Sequence, residues 1–181
     1  ILAGHAIDTA GGREALLAFA EAWQTPVAVS FRRQDLFPND HALYAGDLGL
    51  RNPDAQRAAF ADADLVVALG TRLTDITTQG WTWPAPGQRL AHICADPRFL
   101  GWHFPAELAV AADAHAVLAA LGAEKPGAPA ARGAWAKKLR DLQTADSQVA
   151  ATTHNDGVAF ARIAKLIGEI AASDAMIALD A

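Results

Sequence analysis

The sequence predicts an α/β domain built on a doubly wound parallel sheet. Strand-like and helix-like runs alternate along the first two thirds of the chain, and the clearest apolar run, Asp64-Leu65-Val66-Val67-Ala68-Leu69-Gly70, is continuous instead of alternating. A continuous run fits a strand covered on both faces. A hydrophobic share of 52% against 19% charged residues supplies a core and excludes a disordered chain. At 181 residues there is room for one domain with parts of its neighbours.

The elements follow in order. Ile1-Leu2-Ala3 reads as a short strand, and residues 13–23 place Leu16, Leu17, Ala20 and Trp23 at helical spacing. Pro26 ends that helix by excluding the residue before it from helical geometry, and Val27-Ala28-Val29 follows as a buried strand. Residues 53–61 read as a helix with Pro53 at its start, where a missing N–H costs nothing. After the 64–70 strand, residues 89–94 and 108–111 read as strands and 113–121 as a helix capped by Asp113. The composition then shifts, and Lys125-Pro126-Gly127-Ala128-Pro129 reads as linker. Domain boundaries are accordingly expected at 1–122, 123–153 for the linker with a polar helix over 135–149, and 154–181 for a truncated beginning of a further domain. In that last part Asn155-Asp156 precede a helix carrying Val158, Ile163, Leu166, Ile167 and Ile170, and Ala175 to Leu179 read as a strand. Chains seldom begin and stop inside strands, so a piece of a longer polypeptide is expected.

Charge and composition exclude several classes of function. A net charge of −5 supplies no basic surface for nucleic acid. The one cysteine, Cys94, forms neither an internal disulfide nor a thiolate zinc cluster, which points to a reducing, cytoplasmic setting. No apolar run has the roughly 18–20 residues that span a bilayer, so no membrane partner is expected.

Two long connections leave the carboxyl ends of predicted strands, residues 30–52 and 71–88, and ligands of open parallel sheets bind at such ends. Gly46, Gly49, Gly70 and Gly80 within or beside them allow close backbone approach, and Arg72 suits a phosphate or carboxylate. The same residues also fit plain turns with an Arg72–Asp75 salt bridge. Neither a G-x-G-x-x-G turn nor a G-x-x-x-x-G-K-[ST] loop is present. The six histidines, His5, His41, His92, His103, His115 and His154, have no metal-binding spacing. His92 reads as a hydrogen-bonded core residue and Cys94, on the same side of its strand, as packing material. Ser30 ends a strand but lacks the G-x-S-x-G elbow of a hydrolase nucleophile. Trp81 and Trp83 form either an aromatic wall for a ring-bearing ligand or a hydrophobic plug between domains or subunits, and the plug is preferred. No catalytic residue and no metal site is assigned.

Several blocks recur in a known order: Thr25 to Ser30, Phe37-Pro38 with His41 and Gly46, Ala63 to Asp75, His92 to Pro97, and Ala112-Asp113-Ala114. Together they resemble the central domain of thiamine-diphosphate-dependent enzymes such as acetolactate synthase and benzoylformate decarboxylase, over residues 1–121. The resemblance implies a Rossmann-like sheet of about six strands, lying in the parent chain between two domains that hold thiamine diphosphate and Mg²⁺ outside this sequence. It further implies a structural and subunit-contact role, partners in the remaining domains of the same polypeptide, a homo-oligomer, and no turnover by the fragment alone. One branch of the family binds FAD in this domain and others bind an ADP moiety. Carried over by position, Ser30 and Phe31 would lie along the flavin, Gly46, Gly70, Arg72 and Asp75 would line the cofactor, and Asp96 and Asp113 would sit near the adenosine. Two departures stand against a retained nucleotide: Gly4-His5 replaces a glycine cluster, and Cys94 replaces an acid. The strand end Ile93-Cys94-Ala95-Asp96-Pro97 looks closer to the flavin-free decarboxylases.

Overall fold

The computed structural model describes residues 1–124, 130–149, 157 and 159–178. Its centre is an all-parallel six-stranded sheet of β1 (Leu2–Ala3), β2 (Val27–Ser30), β3 (Tyr44–Leu48), β4 (Leu65–Leu69), β5 (Arg89–Ile93) and β6 (Leu108–Val110). The strand order is β3-β2-β1-β4-β5-β6, so the winding reverses between β1 and β4. This is the doubly wound, Rossmann-like order, in which ligand crevices open at the reversal.

Alternate residues of the strands divide into two cores. Ala3, Val27, Val29, Leu69, Ala91 and Ile93 face α1 (Gly12–Trp23) and α3 (Ala114–Gly122), which contribute Leu16, Phe19 and Leu118. Leu2, Ala28, Val66, Ala68 and Leu90 face the other way, toward Ala59 and Phe60 of α2 (Asp54–Ala61). Both faces are apolar along most strands, which is why β4 reads as an unbroken run. Asp113 caps α3, its carboxylate accepting from the Ala116 N–H at 2.8 Å.

Three elements differ from the sequence reading. Residues 30–52 are not a bare connection, because β3 lies within them; Gly46-Asp47 break its apolar pattern and disguise it as a turn. Gly46, at φ 95°, sits where the β2–β3 register shifts, a bulge that glycine accommodates. The polar helix begins earlier, as α4 (Ala130–Asp146), and packs on β3 and α2 within a compact unit spanning Ile1–Asp146. Its inner face is carried by Leu139 with Trp135 and Leu142 packed beside it, so the sequence shows the helix but not that it closes the domain. In the second unit, Ser147–Ala181, the helix is α5 (Phe160–Ile170), capped by Ala159. Asn155, Asp156, Val158 and Leu179 lie outside the described residues, and residues 175–178 form no strand, since no neighbouring strand among the described residues pairs with them.

Candidate functional site at the carboxyl edge of the sheet

At the reversal, the turns after β1 and β4 touch backbone to backbone. The Gly4 N–H donates to the Leu69 carbonyl (2.8 Å), Ala6 N–H to Gly70 (3.1 Å) and Gly70 N–H to Ile93 (2.9 Å). A Cβ on Gly4 would stand 2.5 Å from the Gly70 carbonyl oxygen and from Thr71 Cβ. Gly70, at φ 63°, leaves only 2.9 Å from its own Cβ position to Ala6 Cβ. The two turns are thus in close backbone contact, which glycine at positions 4 and 70 permits. At the start of α1 the Gly12 N–H donates to Thr9 (3.0 Å).

The residues carried over for a cofactor are distributed along this edge, with one exception. Ser30 is buried at the end of β2, its carbonyl accepting from Arg33 N–H at 3.0 Å, and half-buried Phe31 lies 5.1 Å beneath the Arg32 guanidinium. Gly46 is buried within β3, its missing side chain making room for Gln56 Nε2 (2.6 Å from the Cβ position) and Gln143, so it faces protein. Asp75 lines an open cleft with Gly49, Arg57, Ile76 and Gln79, where Gln79 Nε2 donates to the Gly49 carbonyl at 2.7 Å. No ion pair joins Arg72 to Asp75 among the described residues; Arg72 lies 5.7 Å over the Phe99 ring. Asp96 caps a 3-10 turn at Pro97–Phe99 and binds Arg98 at 2.6 Å, and those hydrogen bonds hold its carboxyl down at about 2. Asp113 is committed to the α3 cap. Both acids expected near an adenosine thus already have protein partners.

Other features are visible only in three dimensions. Arg13 and Arg33 bridge Asp8 and Asp35 beyond β1 and β2, with contacts of 2.7–3.1 Å. His92 is 1% exposed, and its Nε2–H donates to the Thr71 carbonyl at 2.8 Å. The tryptophan pair separates: Trp83 plugs the core against Phe60, whereas Trp81 is 45% exposed and stacks on His103. Alternation within Trp81-Thr82-Trp83 gives no hint of this, since the stacking partner comes from another connection. No group of three or more His, Cys, Asp or Glu side chains suited to a metal ion occurs among the described residues. No described helix is long and apolar enough to cross a membrane.

Comparison with known proteins gives the family of this sheet. The family described as thiamine pyrophosphate enzyme, central domain, matches residues 1–121. A probable acetolactate synthase large subunit from Methanocaldococcus jannaschii is 33% identical over 118 residues, covering 65% of this chain and 20% of that protein. A sulfoacetaldehyde acetyltransferase from Rhodobacter capsulatus is 35% identical over 132 residues, covering 68% and 22%. The acetolactate synthase large subunit of Corynebacterium glutamicum is 31% identical over 118 residues, covering 65% and 19%. The chain spans about a fifth of the length of the curated relatives it matches.

Proposed function

This chain belongs to the thiamine pyrophosphate enzyme central-domain family, and from that premise we propose that it is the scaffold domain of a larger thiamine-diphosphate-dependent 2-oxo-acid enzyme of the acetolactate synthase type, cytoplasmic and oligomeric. The observation that carries this is the extent of the match, which takes in one central domain and a fifth of each relative. Thiamine diphosphate, when bound in such enzymes, stabilises the carbanion formed from a 2-oxo acid. In the reading proposed here, the residues that hold it and its Mg²⁺ lie in other parts of the parent, as the family resemblance implies. This chain's contribution is positional: the sheet and its two cores hold the flanking parts apart at fixed spacing. Residues 154–181 are read as the beginning of the next domain, because α5 turns Phe160, Ile163, Leu166, Ile167 and Ile170 along one exposed face that a larger core would bury.

The nucleotide-binding reading rests on Asp75 in the open cleft and on Arg72, which has no carboxylate partner among the described residues; against it stand Asp96 and Asp113, already bound to protein partners. The test has two arms. Titration of the 181-residue chain with FAD or ADP at millimolar concentration is expected to leave flavin fluorescence and thermal midpoint unchanged; a saturable change would restore the nucleotide module. The complete polypeptide, supplied with thiamine diphosphate, Mg²⁺ and pyruvate, is expected to form acetolactate. Acetaldehyde as the sole product would favour a benzoylformate decarboxylase-like parent, and no thiamine-dependent turnover would overturn the assignment.

A further inference from the structure

Connections after β4 and after β5 meet in a column of rings on the surface. Phe99 and Trp102 centroids are 5.8 Å apart at 29°, Trp102 and His103 4.9 Å at 19°, and His103 and Trp81 3.9 Å at 35°. Phe104, 6.4 Å from Trp81, roots the column in the core below. Stacking between neighbours accounts for the ring faces, yet Trp102 remains 64% exposed and Trp81 45%.

Trp81 does not project by accident. Its φ is 65°, and Leu73 and Gln79 in the same connection have φ 54°, a region costly for residues with a Cβ. A buried polar scaffold enforces this geometry. Thr78, wholly buried, donates its hydroxyl to the Thr74 carbonyl (2.8 Å) and accepts the Trp81 N–H (3.3 Å). The Thr82 and Trp83 N–H groups both donate to the Thr78 carbonyl at 3.0 Å. An exposed ring set fixed in advance loses little conformational freedom when it is covered, and Trp and Arg are the residue types that dominate protein contacts.

Resting on the scaffold reading above, the geometry points to a docking ridge: Phe99, Trp102, His103 and Trp81, with Arg72 at one end, receive polypeptide of the parent enzyme that lies outside this chain. The occupant follows from size and charge. For a parent as long as the relatives, about four-fifths of the polypeptide lies elsewhere, and an aromatic patch of this kind is usually covered by a partner surface. Arg72 lies over Phe99 with no carboxylate partner among the described residues, whereas the neighbouring Arg98 is held by Asp96. The docking surface is therefore apolar with a carboxylate at the Arg72 end.

Hydrogen exchange of residues 78–83 and 99–104 in the 181-residue chain and in the complete polypeptide tests this. Exchange is expected to slow at least about tenfold in the complete polypeptide. Trp102→Ser is expected to shift the midpoint of the 181-residue chain by no more than about 2 °C, as at an exposed site, while restoring fast exchange in the complete polypeptide; Arg72→Glu is expected to do the latter as well. Equal exchange in both proteins, in a preparation that shows thiamine-dependent turnover, would overturn the ridge and leave the family reading intact. Absence of that turnover would count against the proposed activity of the parent alone, with the exchange result still judging the ridge. Dimerisation of the 181-residue chain that Trp102→Ser abolishes, or saturable quenching of Trp102 by a small ring-bearing ligand, would overturn the stated occupant.

Discussion

His92 is a buried titratable side chain in β5. Burial among apolar neighbours pushes its pKa below the ordinary histidine value, and the hydrogen bond from Nε2–H to the Thr71 carbonyl only partly opposes this. The unfolded chain consequently binds a proton at a higher pH than the fold does. Stability is therefore full above the ordinary histidine range, near pH 6.5, and is lost as pH falls from there toward the folded value. Thermal midpoints measured between about pH 7.5 and 5 should decline, and His92→Gln should flatten that segment; an unchanged slope in the variant would refute the assignment. A second prediction concerns Gly4. Its Cβ position is 2.5 Å from the Gly70 carbonyl oxygen and 2.6 Å from Thr71 Cα, both backbone atoms unable to move aside. Gly4→Ala should thus cost roughly 3 kcal/mol or more in urea denaturation, as severe overpacking does. At this scale the sequence is readable where one strand decides the outcome: His92 is the buried, hydrogen-bonded core residue that its place in the strand implies, and Cys94 is buried as well. It is opaque where two connections meet, so the roles of Arg72 and Trp81 required Phe99 and His103 in space.

Among elements, legibility followed apolar content. β4 announces itself through Leu65 to Leu69, while β3 hides because Gly46-Asp47 interrupt it; α4 is legible as a helix, but its true start at Ala130 and its packing on the domain are not, because only Trp135, Leu139 and Leu142 mark its inner face. α4 is nonetheless fastened at several points. Leu139 is fully buried, Trp135 Nε1–H donates to the Ala59 carbonyl at 2.9 Å, Arg132 to the Trp23 carbonyl at 2.7 Å, and Lys138 pairs with Asp62 at 2.9 Å. The surface pair contributes little, but one buried leucine is substantial. Leu139→Ala is expected to lower the unfolding free energy by about 2–5 kcal/mol in denaturant melts and to quicken proteolysis after Lys137 and Lys138. A loss below about 0.5 kcal/mol would mean the helix is dispensable.

For the whole molecule, two boundaries compete. The family match closes at residue 121, near where the composition shifts, yet the compact unit runs to Asp146. Packing argues for the longer unit, because α4 covers both α2 and β3, including the gap above Gly46 into which Gln143 fits. Domain stabilities are only about 5–15 kcal/mol, so removing a helix worth several of them is a large fraction of the total. A chain ended after Asp146 should therefore melt in one cooperative transition. A chain ended after Gly122 exposes the apolar side of Leu48, Ala59 and Phe60, and should melt at least about 10 °C lower, bind a hydrophobic dye and aggregate. Equal midpoints for the two truncations would show that the family boundary is also the folding boundary, and that α4 rides on a sheet already stable without it.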